Sequence, residues 1–198
     1  MMMHIRPYEN KDETGWLRCR VLAFLDTAYY DHVLKEKERY SNPSIELVAL
    51  DDEEIVGLID IEFETTPGSV CSNRSQVGGM IWHIAVHPDY RRRGIGHSLL
   101  VEAIDRAQKL GIQHLEAWTR DDPWVQDWYL RMGFTWVESY LQVYMDGGKE
   151  LKGSIESRIP QLYPVHVFAH YTGEDKANIG ERFSRVHETN LYRLILQQ

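Results

Sequence analysis

The sequence predicts an α/β (α+β) fold: a mixed, mostly antiparallel central sheet flanked by helices. Two observations carry that prediction. The β-rich runs Ile45 to Leu50 and Ile55 to Phe63 are separated only by DDEE, the spacing of an antiparallel hairpin. From Met80 to Met145 the pattern then alternates strand, helix, strand, helix, strand. A length of 198 residues suits one such domain, spanning 1–198, with a full core.

The elements follow in chain order. His4 to Arg6 reads as a short first strand. Thr14 to Ala28 is apolar at Trp16, Leu17, Val21, Leu22, Phe24 and Leu25, which predicts a helix with one buried face. Asp31 to Tyr40 is polar and reads as a second, exposed helix ended by Asn42-Pro43. In the second hairpin strand Asp60, Glu62 and Glu64 alternate with Ile59, Ile61 and Phe63, which predicts an apolar and an acidic face. Thr65 to Gly79 reads as a loop. Met80 to Val86 is apolar except for His83, as a central strand buried on both faces would be.

From Gly94 the period becomes helical, through Ile95, Leu99, Leu100, Ala103, Ile104, Ala107 and Leu110, and Gly111 marks the end. His114 to Trp118 is a short strand. Asp122-Pro123 opens a helix that stops at Gly133, with Asp able to cap and Pro in the first turn. Phe134 to Met145 is β-like. Lys149 to Thr189 is an extra segment holding LYPVHVFAHY and a helix-like ANIGERFSRVHE, and Asn190 to Leu196 is a last strand.

Composition narrows the function. With 22 basic and 30 acidic residues the net charge is −8, which disfavours a sequence-independent nucleic-acid binder. The surface would draw a cationic small substrate weakly, or simply keep the chain soluble. No segment approaches the ~20 apolar residues of a membrane span. The start, MMMHIRPYENKDE, carries no apolar signal core, so a cytoplasmic protein is expected. Two cysteines, Cys19 and Cys71, make neither a disulfide framework nor a zinc pattern. His83 and His87 lack an HExxH setting, so no metal is expected.

The stretch HPDYRRRGIGHSLL is the chemically informative one. A buried strand ends at Val86, His87-Pro88 turns the chain, and a helix opens at Gly94. A helix's first turn presents unpaired N–H groups and the positive end of its dipole. Glycines let a ligand approach the backbone, and three arginines add charge and donor forks. This predicts an anion site, best suited to a pyrophosphate. No Gly-Lys-Ser/Thr follows, so it is not a P-loop. Leu99 stands where a dinucleotide fingerprint needs its third glycine.

IAVHPDYRRRGIG resembles the acyl-CoA signature R/Q-x-x-G-x-G/A of the GNAT N-acetyltransferase superfamily, with Arg91, Gly94 and Gly96 in its positions. WYLRMGF, with Tyr129, Gly133 and Phe134, resembles the family's Y-x-x-x-G-F helix end. The likeness in element order runs from His4 to Met145. Where members often carry Asn at the start of the second helix, this chain has Asp121 and Asp122.

The resemblance implies a GNAT-like acyl-CoA N-acyltransferase fold and an acetyl-CoA-dependent transfer of an acetyl group directly to an amine. CoA pyrophosphate would lie on the backbone of Arg92, Arg93, Gly94, Ile95, Gly96 and His97, with Arg91 as charge partner. The pantetheine arm would pair with Ile84, Ala85 and Val86 like an added strand, with Asp122 near it. Tyr129 would protonate the departing thiolate, or is a packing aromatic. His83 is a candidate base or a core histidine satisfied by a hydrogen bond. Glu62 and Asp60 would bind a cationic acceptor or take its proton, or line a solvent face. Phe24, Asp26, Tyr29 and Tyr30 border the expected acceptor cleft. The acceptor would be a small molecule, antibiotic-like or polyamine-like, or a protein amine. The extra segment would be a lid or a homodimer contact. The competing reading is a non-catalytic acyl-CoA-binding regulatory module.

Overall fold

In a computed structural model of the chain, which describes residues 3–196, one eight-stranded sheet has the order β1-β2-β3-β4-β5-β8-β6-β7. The strands are β1 (His4–Pro7), β2 (Ser44–Asp51), β3 (Glu54–Phe63), β4 (Gly78–Val86), β5 (His114–Thr119), β6 (Thr135–Asp146), β7 (His166–Tyr171) and β8 (Arg185–Ile195). The helices are α1 (Glu13–Phe24), α2 (Ile95–Lys109), α3 (Pro123–Arg131), α4 (Gly147–Leu151) and α5 (Lys176–Arg182). Every strand pair is antiparallel except β4 with β5. The predicted hairpin is β2–β3, with Leu50 opposite Ile55.

Strand periodicity sorts side chains to two helical layers. Ile45, Leu47 and Ala49 of β2, Ile59 and Ile61 of β3 and Ile81 of β4 pack with Ile95, Leu99, Leu100, Ala103 and Ala107 of α2. The alternate residues, Val48, Leu50, Leu58 and Ala85, pack with Trp16, Cys19 and Ala23 of α1. Leu99 is fully buried, and such a site typically loses about 2–5 kcal/mol on truncation to Ala. The sheet's far end has its own small core, Leu141, Val143, Met145, Leu151 and Phe183.

Several expectations need correcting. Residues 31–40 form turns and extended chain, not a helix. The reason is that this segment's polar groups are spent inward: the Lys37 N–H donates to Glu13, and the Lys37 side chain is buried among carboxylates. Helix α1 starts at Glu13 and ends at Phe24, and its buried stripe is Trp16, Cys19, Arg20 and Ala23, while Leu22 and Leu25 are exposed. The acidic face of β3 is not solvent: Asp60, Glu62 and Glu64 are all buried, with Trp16 of α1 and residues 37–42 against Asp60 and Glu62 and the 65–77 loop against Glu64. Trp82 is exposed, so β4 is not buried throughout. Of ANIGERFSRVHE only the first part is helical, and β8 already begins at Arg185. The extra segment therefore contributes a whole edge strand, β7, and the start of β8.

Candidate functional site: an open wedge in the sheet

The β4–β5 junction is the fold's singular place. β4 stays paired with β3 out to Val86, which lies opposite Gly57. Against β5 it pairs only at Gly78, Gly79 and Met80. β5 meanwhile pairs with β8 along its whole length. From Ile81 to Val86, β4 thus turns an unpaired edge toward β5, and the two strands form a wedge. Buried backbone groups require partners, so such an edge is a template for an added extended chain. Trp82 is the extra residue of a bulge: Asp60 lies opposite His83, and Ile61 opposite Ile81.

The arginine–glycine turn sits at the wedge mouth. Gly94 caps α2 at φ +80°, and a Cβ there would meet nothing within 4 Å. The first helical bond runs from Ser98 N–H to the Gly94 carbonyl, so the N–H groups of Ile95, Gly96 and His97 have none. Arg92 and Arg93 are exposed. Arg91 is tethered instead, donating to Asp26 and the Ala23 carbonyl and lying over Trp124. A Cβ on Gly96 would sit 3.6 Å from Trp128 and from Val86, so α2, α3 and β4 converge there.

Tyr129 is on α3, in the α2-side core beside the wedge. Its ring stacks on Tyr192 and lies edge-on to Trp128 and Phe134. Burial pushes its phenol pKa up, so it stays protonated at neutral pH. Asp122 caps nothing: both its oxygens accept the Ala28 N–H at 3.0 Å, which ties the turn after α1 to the start of α3. Burial raises its carboxyl pKa.

On the α1 face lies a buried polar network that the sequence did not disclose. Arg20, fully buried, donates through Nε to His83 Nδ1 at 3.2 Å and through its other nitrogens to the His32 carbonyl and Nδ1. A guanidinium only donates, so His83 Nδ1 is an acceptor and Nε2 keeps the proton, donating a hydrogen bond to Glu38 Oε2 at 2.6 Å. Lys37 bridges Glu46 and Asp60, and Asp60 also accepts from Tyr40 and Trp16. Burial raises the Asp60 carboxyl pKa, against the pull of Lys37. Glu62 accepts from Asn42 and from Trp82 Nε1, and burial notwithstanding, these bonds hold it below the usual carboxylate range.

The structure thus brings His83, Asp60 and Glu62 to one face, and Ile84–Val86, Gly94–His97 and Asp122 around the wedge. Arg20, Lys37, Glu38 and Arg120 are additions. Arg120 is buried at the end of β5, stacked on Tyr29 and bonded to Gln142, the Ala28 carbonyl and Tyr144. One sequence signal pointed to Arg20: it lies one turn from Trp16, on the stripe that α1 buries. Among the described residues no helix is long and apolar enough to cross a membrane.

A strand edge left open beside a glycine-bearing helix N-terminus can take an extended chain that ends in an anion. The profile of the acetyltransferase (GNAT) family matches residues 10–134, well over half the chain, and the chain belongs to that family. Its members are acetyl-CoA-dependent acyltransferases that acetylate amines. No curated protein matches the sequence. Solved structures share the fold. The ribosomal-protein-S18-alanine N-acetyltransferase of Escherichia coli superposes with TM-score 0.59 at 15% identity, over 100% of this chain and 96% of that one. The PaiA N-acetyltransferase of Thermoplasma acidophilum, in complex with coenzyme A, gives 0.56 at 18%, over 69% and 92%. Arabidopsis thaliana NAA60, in complex with a bisubstrate analogue, gives 0.60 at 12%, over 98% of each chain.

Proposed function

We propose that this acetyltransferase moves the acetyl group of acetyl-CoA directly to the amine of a cationic small molecule, within a single domain. The observation that carries the reading is the unpaired β4 edge from Ile81 to Val86, leading to the unbonded N–H groups of Ile95, Gly96 and His97. These residues fit the donor: an extended amide-bearing arm for the edge, and an anion for the helix terminus. Arg92 and Arg93 add charge to the turn, and Arg91 holds its base against Asp26.

Bound acetyl-CoA supplies an activated thioester. The chain's residues orient and polarise it. A strand amide among Ile84, Ala85 and Val86 donates toward the carbonyl oxygen, an oxyanion-hole role. Tyr129, kept protonated by burial, donates its phenolic proton to the leaving sulfur. His83 has both ring nitrogens engaged, so we read it as orienting Glu38, whose side chain is 43% exposed. Glu38 attracts the acceptor's ammonium, which has an ordinary pKa of about 10.4 and releases its proton to water before attack. Glu62 fixes Trp82 at the bulge. Asp122 sets the wedge's far wall through Ala28.

The test is release of CoA thiol with acetyl-CoA and a panel of polyamines, aminoglycosides and peptide amines. Turnover on small cations supports the proposal, and turnover on peptides alone moves the acceptor to protein. Tight acetyl-CoA binding without turnover on any amine would favour a regulatory module.

A further inference from the structure

The fold places Glu64, Cys71 and His114 side by side, although they are distant in sequence. Glu64 follows β3, Cys71 lies in the 65–77 loop, and His114 opens β5. All three are buried, with His114 0% exposed, and one ligand atom from each lies within 4.8 Å of the others. Neither ring nitrogen of His114 has a hydrogen-bond partner. A buried polar group without a partner is destabilising, so the ring calls for a ligand. Gly78 makes room for it: a Cβ there would sit 2.3 Å from His114 Nε2.

The surroundings are anionic. Glu116 Oε1 lies 3.6 Å from His114 Nε2 and is itself paired with Arg193. Glu64 is ionised and held by backbone N–H bonds from Val70, Cys71, Gly68 and Gly78, so a metal would take the place of one of these donors. Sulfur, imidazole nitrogen and carboxylate oxygen form the donor set of zinc. One thiolate and one carboxylate neutralise a divalent cation, which removes the objection to burying charge.

We propose that Glu64, Cys71 and His114 bind one zinc ion, with Glu116 or water in the fourth position. Bond lengths to zinc of about 2.0–2.3 Å set tetrahedral edges near 3.5 Å, so the ligands draw together by rotation of their side chains. Binding deprotonates the Cys71 thiol, the Sγ–zinc bond forms, and the proton goes to solvent. The metal would rivet the 65–77 loop to β5 at the only rungs that join β4 to β5, Gly78 with His114 to Met80 with Glu116. This is a structural site, separate from acetyl transfer. The three ligands come from separate parts of the fold, so no short-spacing motif in the sequence marks them.

The experiment uses the full chain without a histidine tag, stripped with a chelator and desalted after addition of zinc. We expect one equivalent retained, a melting temperature that rises with zinc, and a thiolate-to-cobalt charge-transfer band when cobalt replaces zinc. Cys71→Ala and His114→Gln should each weaken binding by at least about 100-fold, more than loss of an outer-shell partner does. Acetyl-CoA binding and far-ultraviolet circular dichroism report that each variant is folded. No retention by the wild type, no cobalt–thiolate band, or equal retention by Cys71→Ala would overturn the site. If His114→Gln does not fold, Cys71→Ala and the wild-type cobalt spectrum decide.

Discussion

Arg20 Nε and His83 Nδ1 meet at 3.2 Å beneath α1, and this contact fixes which nitrogen of the histidine holds the proton. It also links α1 to the central strand through groups with almost no access to water. The tautomer follows from donor count alone, since the guanidinium has no lone pair to offer.

Arg20→Met should therefore be more than a lost hydrogen bond. It strands His83 Nδ1, a buried acceptor worth about 1–3 kcal/mol, and releases the half-buried bond to the His32 carbonyl. Urea denaturation should show a loss of at least about 2 kcal/mol. Arg20→Lys should rescue little, because one ammonium cannot reach both histidines in the same geometry. Wild-type stability in the Lys variant would refute this account of the network.

Tyr129→Phe keeps the ring stack on Tyr192 and removes only the hydroxyl. With Tyr129 as the acid, kcat should fall by about 10²–10⁴ while acetyl-CoA affinity holds. An unchanged kcat would reduce Tyr129 to packing.

Glu38→Gln separates attraction from chemistry. The hydrogen bond from His83 survives and the charge goes. KM for a cationic amine should rise several-fold and depend less on salt, while kcat changes little. A matched fall in kcat for cationic and neutral amines would place Glu38 in the chemical step instead.

The glycines of the turn predict opposite outcomes. Gly94→Ala forces an L-residue to φ +80°, which costs about 1–2 kcal/mol with no clash to blame. Gly96→Ala meets Trp128 and Val86 at ordinary contact distance, so its stability should change by no more than about 0.5 kcal/mol. Urea melts of the two variants provide the comparison.

Acid stability should report on Asp12. Its hydrogen bonds from Arg6 hold the carboxyl below the ordinary value, with burial opposing. A depressed carboxyl gives stability that is complete above the unfolded-chain pKa, about 3.9, and lost as pH falls through the folded value. Asp12→Asn should be less stable at pH 7 by about 1–3 kcal/mol, and the gap should close below pH ~3.9. A gap that persists at low pH would mean the loss is not electrostatic.

Sequence legibility divided along a physical line. The hairpin and the helix from Gly94 were readable because each is local: spacing sets the hairpin, and the apolar period sets the helix. Residues 31–40 looked helical because they are polar, but Lys37 is drawn inward by Asp60, a partner known only once β3 is placed. Asp60, Glu62 and Glu64 alternate as a solvent face would, and nothing local in the sequence marks that Trp16, residues 37–42 and the 65–77 loop cover them. Glu38, Arg120 and the Glu64–Cys71–His114 cluster depend on contacts across the sheet, which no short-range spacing encodes.

The two halves of the sheet are stitched by only three rungs, Gly78 to Met80 against His114 to Glu116. An extended molecule laid along Ile81–Val86 would lengthen that stitching, so a bound donor would act as a ninth, removable strand. The protein's resistance to unfolding would then follow its supply of donor: at a hundredfold excess over Kd, mass action adds about 2.7 kcal/mol. A cell poor in donor would hold this chain in a looser and shorter-lived form.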